Sequence, residues 1–441
     1  MSSLITKNFK ITLAKQVYNL LEIGANSYLP ADRKSYVYAV IGKQLPWNTG
    51  TEVAPVPQET VTVLNDYYKR AIYAKQLSIE NASLVVPRIN WTSNTVYNTY
   101  ESSTNFYVLN SKDQVFKCLY NNNAIASTDE PELTLSTTSL EEPFVQTADG
   151  YKWKYMMTLS TLQKQKFLTQ DWMPVTVNKF VRAAAEPGSI DIVTVTNSGN
   201  NYTNGSTQDI IRIDGDGTGA ILKANVSNNK VQNIIIQNRG TNYTYANLSF
   251  SDVVGGIGSG AAATVAIAPV DGHGYDPVYE LGASTVLFTV EFAQNESSSL
   301  PTNNDFREIF LVQNPQIYGS TTLASSSAYT LYTRVKVSPG VGDYNVDEAV
   351  YQGDSYATAT FTADVISFDN IQNLLYLNNV KGTLETNKTI WGVSSGSIRV
   401  VNSFLNPTLK PYSGKILYIS DKLPITRDAS QTERIRFVLS F

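Results

Sequence analysis

Between residues 188 and 270 the chain repeats itself. Asn197-Ser198-Gly199-Asn200-Asn201-Tyr202-Thr203 returns as Asn238-Arg239-Gly240-Thr241-Asn242-Tyr243-Thr244, and Gly217-Thr218-Gly219-Ala220 returns as Gly258-Ser259-Gly260-Ala261, each after 41 residues. Two landmarks at one offset define a tandem unit of about four strands. The glycines suit tight turns that need positive φ. Two copies are few for a solenoid, which needs about three to bury a continuous core. The segment therefore reads as a small β-domain inserted into a longer chain.

The remainder must supply other domains, because 441 residues exceed what one core fills; about two to four domains are expected. Tyr is abundant (27) against 4 Met, and only 16% of residues are charged. That balance suits strands rather than helical bundles. The expected fold class is mainly β: a multidomain protein of sandwiches and small barrels, with a few short helices near the N-terminus. Phe9, Leu13, Val17, Leu20 and Leu21 follow helical spacing up to a stop at Gly24. Val61, Leu64, Tyr68, Ala71 and Ile72 predict a second helix over Gln58–Leu77. Between them Tyr36–Ile41 reads as a buried strand. Short strands with polar turns follow from Val85 to Val181, with a helix at Thr161–Phe167. Strands are expected at Val286–Phe292 and Phe306–Gln313, and a small barrel over 336–402. The expected segments are 1–187, 188–270 and 271–441.

Charge and residue usage narrow the chemistry. A net charge of -4 without a Lys/Arg-rich run lacks the basic footprint of nucleic-acid binding. No apolar run reaches the roughly 18 residues of a membrane span, nor does the start carry a secretory signal. Folding in a cytoplasm is therefore expected, with the Asn-x-Ser/Thr sequons at Asn201, Asn204, Asn242, Asn247, Asn295 and Asn387 a by-product of composition. Cys118 has no partner for an internal disulfide and reads as a packed thiol. The single histidine, His273, lies in a glycine turn beside Asp271 and Asp276, where a turn or inter-subunit contact is expected. Without a second His a zinc site lacks its ligands. Asp214-Gly215-Asp216-Gly217 resembles the start of a calcium loop, but its twelfth position is Asn225, so a hairpin turn explains it better. Gly392-Val393-Ser394-Ser395-Gly396 imitates a nucleophile elbow in outline only, with strand–turn–strand flanks. Glu141, Glu142, Asp149 and Asp171 are candidate acids for glycoside hydrolysis, yet nothing in the sequence fixes a pair at the required separation. No catalytic, cofactor-binding or metal-binding residue is assigned, and no cofactor is expected. Trp91, Tyr97, Tyr151, Trp153 and Tyr155 alternate along strands and suit either a core or an interface.

The last twenty-eight residues, Gly414–Phe441, carry a strand at Ile416 and Tyr418. Pro424 is expected to break its ladder for want of an N–H. A polar turn at Arg427–Gln431 leads to a final strand with Ile435, Phe437, Leu439 and Phe441 on one face. This stretch resembles the C-terminus of a baseplate wedge subunit of T-even-like contractile-tailed bacteriophages, the baseplate protein eight family. The shared pattern is G-x-I-x-Y-I-x-D/N-x-x-P-I-T-R-x-x-x-Q-x-E-x-I-R/K-x-V-L-x-F. Val86–Tyr97, Thr147–Met156 continuing to Asp171–Val175, and Phe306–Ile309 closing at Asn314-Pro315 are similar to the same family, in the same order. The resemblance implies a non-enzymatic virion protein, assembled in the host cytoplasm. Its implied partners are other wedge subunits, as a homodimer or wedge hetero-complex in a six-fold array. The rival expectation is a carbohydrate-binding or glycan-depolymerising tail protein.

Overall fold

The computed structural model describes residues 4–25, 34–43, 45–47, 53–102, 104–134, 144–251, 258–294, 296, 299–428 and 430–441. With 46% strand and 12% helix in several sheets and a closed barrel, the chain is a mainly β, multidomain protein. It forms two compact units, one Met1–Ala14, Leu84–Val286 and Ser440–Phe441, the other Lys15–Ser83 and Leu287–Leu439. The contiguous segments 1–187 and 271–441 do not coincide with these units. The reason is strand pairing: Val37–Gly42 and Ala71–Leu77 join a sheet with Asn304–Gln313 and Lys415–Arg427. No helix among the described residues is long and apolar enough to cross a membrane.

In the first unit, the strands Tyr107–Leu109, Gln114–Tyr120, Lys152–Thr158 and Phe144–Gln146 form an antiparallel sheet in that order. Its core is aromatic: Trp153 stacks on Tyr151 at 5.4 Å and meets Tyr97 edge-on at 5.6 Å, all three rings fully buried. Ser160 starts the helix Thr161–Phe167 with a capping box to Gln163, closing two orphan N–H groups reciprocally.

The 41-residue repeat is also a repeat of backbone. Gly199 and Gly240 have φ of 62° and 64°, Asn201 and Asn242 of 61° and 62°, and Gly219 and Gly260 of 81° and 80°. The two copies exchange strands. Ile190–Asn200 of the first pairs with Ser259–Ile267 of the second, while Thr218–Ser227 of the first pairs with Lys230–Thr241 of the second. Asn228-Asn229, both at positive φ, make the two-residue turn between the latter strands, as a right-handed hairpin requires. Each copy also plugs the other. A Cβ on Gly258 would lie 2.2 Å from the Tyr202 ring, and one on Gly217 would lie 2.3 Å from the Tyr243 ring. Both rings belong to one core with Leu222, Ala224 and Val231. The module is thus completed by two copies, because the first strand of one is paired to the last strand of the other.

In the second unit, five strands run in the order Ala328–Thr330, Ala71–Leu77, Val37–Gly42, Asn304–Gln313, Lys415–Arg427. The helix Val61–Arg70, capped by Thr60, packs Tyr67 against Phe310 at 5.7 Å. The helix predicted to reach Leu77 ends at Arg70, where Ala71–Leu77 becomes a mostly buried strand. Pairing on both sides, with Val37–Gly42 and Ala328–Thr330, outweighs the helical spacing of Ala71 and Ile72. Pro424 does not break its strand either. Lys415–Arg427 is continuous at the sheet edge, with a register shift between Phe306 and Glu308 on the neighbouring strand, and edges and bulges are where proline is tolerated. A six-stranded barrel closes between Thr333 and Leu405, filled by Val335, Val350, Phe361, Leu375, Leu377, Ile390 and Val401.

The glycine–tyrosine plugs give a direct test of the repeat. Gly258→Ala is expected to cost roughly 1–3 kcal/mol by overpacking, and much less in a Tyr202→Ala background. Urea unfolding of the four proteins measures this; an equal cost in both backgrounds contradicts the exchanged packing.

Candidate functional site

Among the described residues, a dense group of buried titratable side chains lies in the first unit. Lys117 and Lys154 are direct cross-strand partners, and they are only 1% and 2% exposed. Like charges facing each other across a ladder repel, so carboxylates must come from elsewhere. Glu280 comes from the helix Pro277–Leu281, which Asp276 caps at the N–H groups of Val278 and Tyr279. Asp191 comes from the first strand of the repeat module.

The ammonium of Lys117 pairs with the Glu280 carboxylate and lies 2.6 Å from His273 Nδ1. His273 Nε2 then faces Asp191 Oδ2 at 3.4 Å. Ser189 donates to the other Asp191 oxygen at 2.8 Å, and Arg239 approaches it at 3.9 Å. Lys154 and Arg239 sit over the Phe144 ring, at 4.3 Å and 4.1 Å from its centre. Tyr100 meets His273 edge-on at 4.8 Å and donates its hydroxyl to the Ile267 carbonyl at 2.5 Å. Strands of the four-stranded sheet and both ends of the repeat module thereby converge on one ionic joint.

Electrostatics sort the protonation states. Burial, reinforced by Lys117, pushes His273 down to about 3, so the imidazole is neutral near pH 7 and bridges rather than ion-pairs. Burial alone would raise Glu280, but Lys117 and His273 outweigh it and hold the carboxyl at about 2. Burial pulls Lys154 down to about 8, with Asp191 opposing the shift. Burial also lowers Lys117, against the pull of Glu280, and raises Asp191. Such a mixture of Lys, His, Glu and Asp is what an acid–base site contains. Here, however, the Lys117, His273 and Asp191 side chains are 2% exposed or less, leaving no face for a substrate. The geometry favours cohesion.

The residues singled out by sequence fall as follows. His273 is not a surface turn contact: Gly272 and Gly274 carry it inward, and its neighbours are Lys117, Glu280 and Asp191 rather than Asp271 or Asp276. Cys118 is fully buried, and burial pushes its thiol up. Asp216 accepts from the Thr244 and Tyr245 N–H groups and the Thr244 hydroxyl, a brace within the repeat. Asp149 accepts from Ser127, Thr128, Asp129, Thr147 and Tyr151, while Asp171 lies exposed in a turn. Glu141 and Glu142 lie outside the described residues. Ser394 and Ser395 both donate to Glu348 through N–H and hydroxyl. Tyr97, Tyr151, Trp153 and Tyr155 are core residues and the half-buried Trp91 packs against them, which favours the core over the interface reading of that block.

Lys117, Lys154, Asp191 and Glu280 were not legible as a group. The only signal was a lysine in each of two otherwise apolar strands, Val115-Phe116-Lys117-Cys118-Leu119 and Trp153-Lys154-Tyr155, which fits a solvated outer face equally well. No protein-family model matches the chain, and no curated protein matches it in sequence.

The neutral imidazole makes a pH prediction. The unfolded chain protonates this histidine below pH ~6.5, whereas the folded chain resists until about pH 3. Stability from this group is therefore complete above the ordinary value and is lost as pH falls through the window. His273→Gln removes that dependence, by up to about 1.4 kcal/mol per pH unit. Urea unfolding of both proteins from pH 7 to 4 is expected to give converging curves; parallel curves would show that the histidine is not held neutral.

Proposed function

We propose that the chain is a structural subunit of a contractile-tail baseplate, holding wedge proteins together rather than turning over a substrate. What carries this reading is the work done by the four blocks that resemble the wedge family. Tyr97, Tyr151, Trp153 and Tyr155 build one core. Asp149 ties its loop together. Glu308 receives Arg70 through two nitrogens at 3.0 and 2.6 Å. Arg427, fully buried, pairs with Glu433 and donates to the carbonyls of Gln294 and Pro301. The motif residues Arg427 and Glu433 of the C-terminal block thus act as scaffold, which suits a structural component.

In this reading the partners are other wedge subunits in a six-fold array, with self-association as a homodimer or within a wedge hetero-complex. The location is the virion tail baseplate, after assembly in the host cytoplasm.

Isolated tail tips, analysed by mass spectrometry and averaged density, are expected to contain this chain at six-fold-related positions. Its absence from them rejects the assignment. Sedimentation of the free protein is expected to give a monomer or dimer; a trimer resistant to detergent and heat would instead favour a receptor-binding spike.

A further inference from the structure

We propose that the cleft beside the barrel in the second unit binds a neutral oligosaccharide. It has a volume of about 410 Å³, within the ~300–1,000 Å³ range of ligand sites. Tyr318 and Tyr412 line it and are 43% and 54% exposed, offering broad ring surface at its wall. Tyr412 leans on Tyr68 at 5.9 Å, and Tyr68 is itself fixed by a hydroxyl bond to the Gly414 carbonyl. The backbone of Tyr412 has φ 60°, a left-handed conformation that a bulky side chain rarely adopts and that concentrates at binding sites.

The polar lining points to the ligand class. Asn406 and Thr383 line the cleft, are exposed, and make no side-chain hydrogen bond with another described residue. The lining cation, Lys69, is committed to Asp66 at 2.8 Å. Uncommitted amide and hydroxyl groups next to ring faces suit a sugar, whose C–H face stacks on an aromatic while its hydroxyls exchange hydrogen bonds. A phosphate or sulfate group needs a free cation, which this lining does not offer. The inference stands apart from the baseplate assignment, since it rests on this cleft alone.

Saturation-transfer NMR with maltohexaose, cellohexaose, mannohexaose and chitohexaose tests it, with decaproline as a probe for peptide docking. At least one sugar is expected to bind in the millimolar range or tighter, and Tyr318→Ala and Tyr412→Gly to weaken it by about tenfold or more. Tyr412→Gly is the informative variant, because glycine accepts the left-handed backbone and keeps the turn. Its thermal midpoint is expected to stay at or above that of the parent. Failure of all four sugars to bind at about 10 mM, unchanged binding by Tyr412→Gly, or binding of decaproline alone would overturn the proposal.

Discussion

A charge removed from water must be neutralised where it lies, and this chain places several of its few charges inside. Lys117, with Glu280, His273 and Asp191 around it, is the extreme case. The second unit repeats the solution with Arg70 and Glu308 and with Arg427 and Glu433. The result is not free of tension. Burial lifts Glu308 to about 7 despite the guanidinium of Arg70, and its second oxygen has no hydrogen-bond partner. Breaking a buried pair by removing one member typically costs about 3–5 kcal/mol. Removing one member of any of these joints is therefore expected to be costly, whatever the pair's net contribution relative to an apolar replacement.

That constraint explains how the repeat module is held. Its own core is small and aromatic, closed by Tyr202 and Tyr243 over Gly258 and Gly217. Its first strand carries Asp191 into the ionic joint, and its last is fastened at Ile267 by Tyr100. An inserted module tied at both ends of its chain segment is a fixed body rather than a tethered one. For a protein proposed to hold a particle together, that is a useful property.

Much of the fold was legible because it depends on local pattern. The repeat showed in the spacing of Asn, Gly and Tyr; most of the non-glycine residues at positive φ are asparagines, so the composition itself encodes the turns. The buried strand near residue 37 and the helix Thr161–Phe167 followed from short, unambiguous runs. The errors arose where distant pairing decided the outcome. Ala71–Leu77 kept a helical rhythm but was claimed by strands on both sides, and Pro424 was accommodated at an edge. The ionic joint was hidden for the same reason. Lys117, Asp191, His273 and Glu280 are scattered over more than 160 positions, and two strands of different sheets, a glycine loop and a short helix must pack together before they meet.

The central claim, that buried charge in this protein serves cohesion, is tested most directly by a double-mutant cycle on Lys117 and Glu280. Hydrogen exchange of the strands Gln114–Tyr120 and Ile190–Asn200 reads the local opening energy. Lys117→Met and Glu280→Gln are each expected to lower it by roughly 3–5 kcal/mol, and the double variant by clearly less than their sum. Strictly additive losses, or single variants indistinguishable from the parent, would contradict the account.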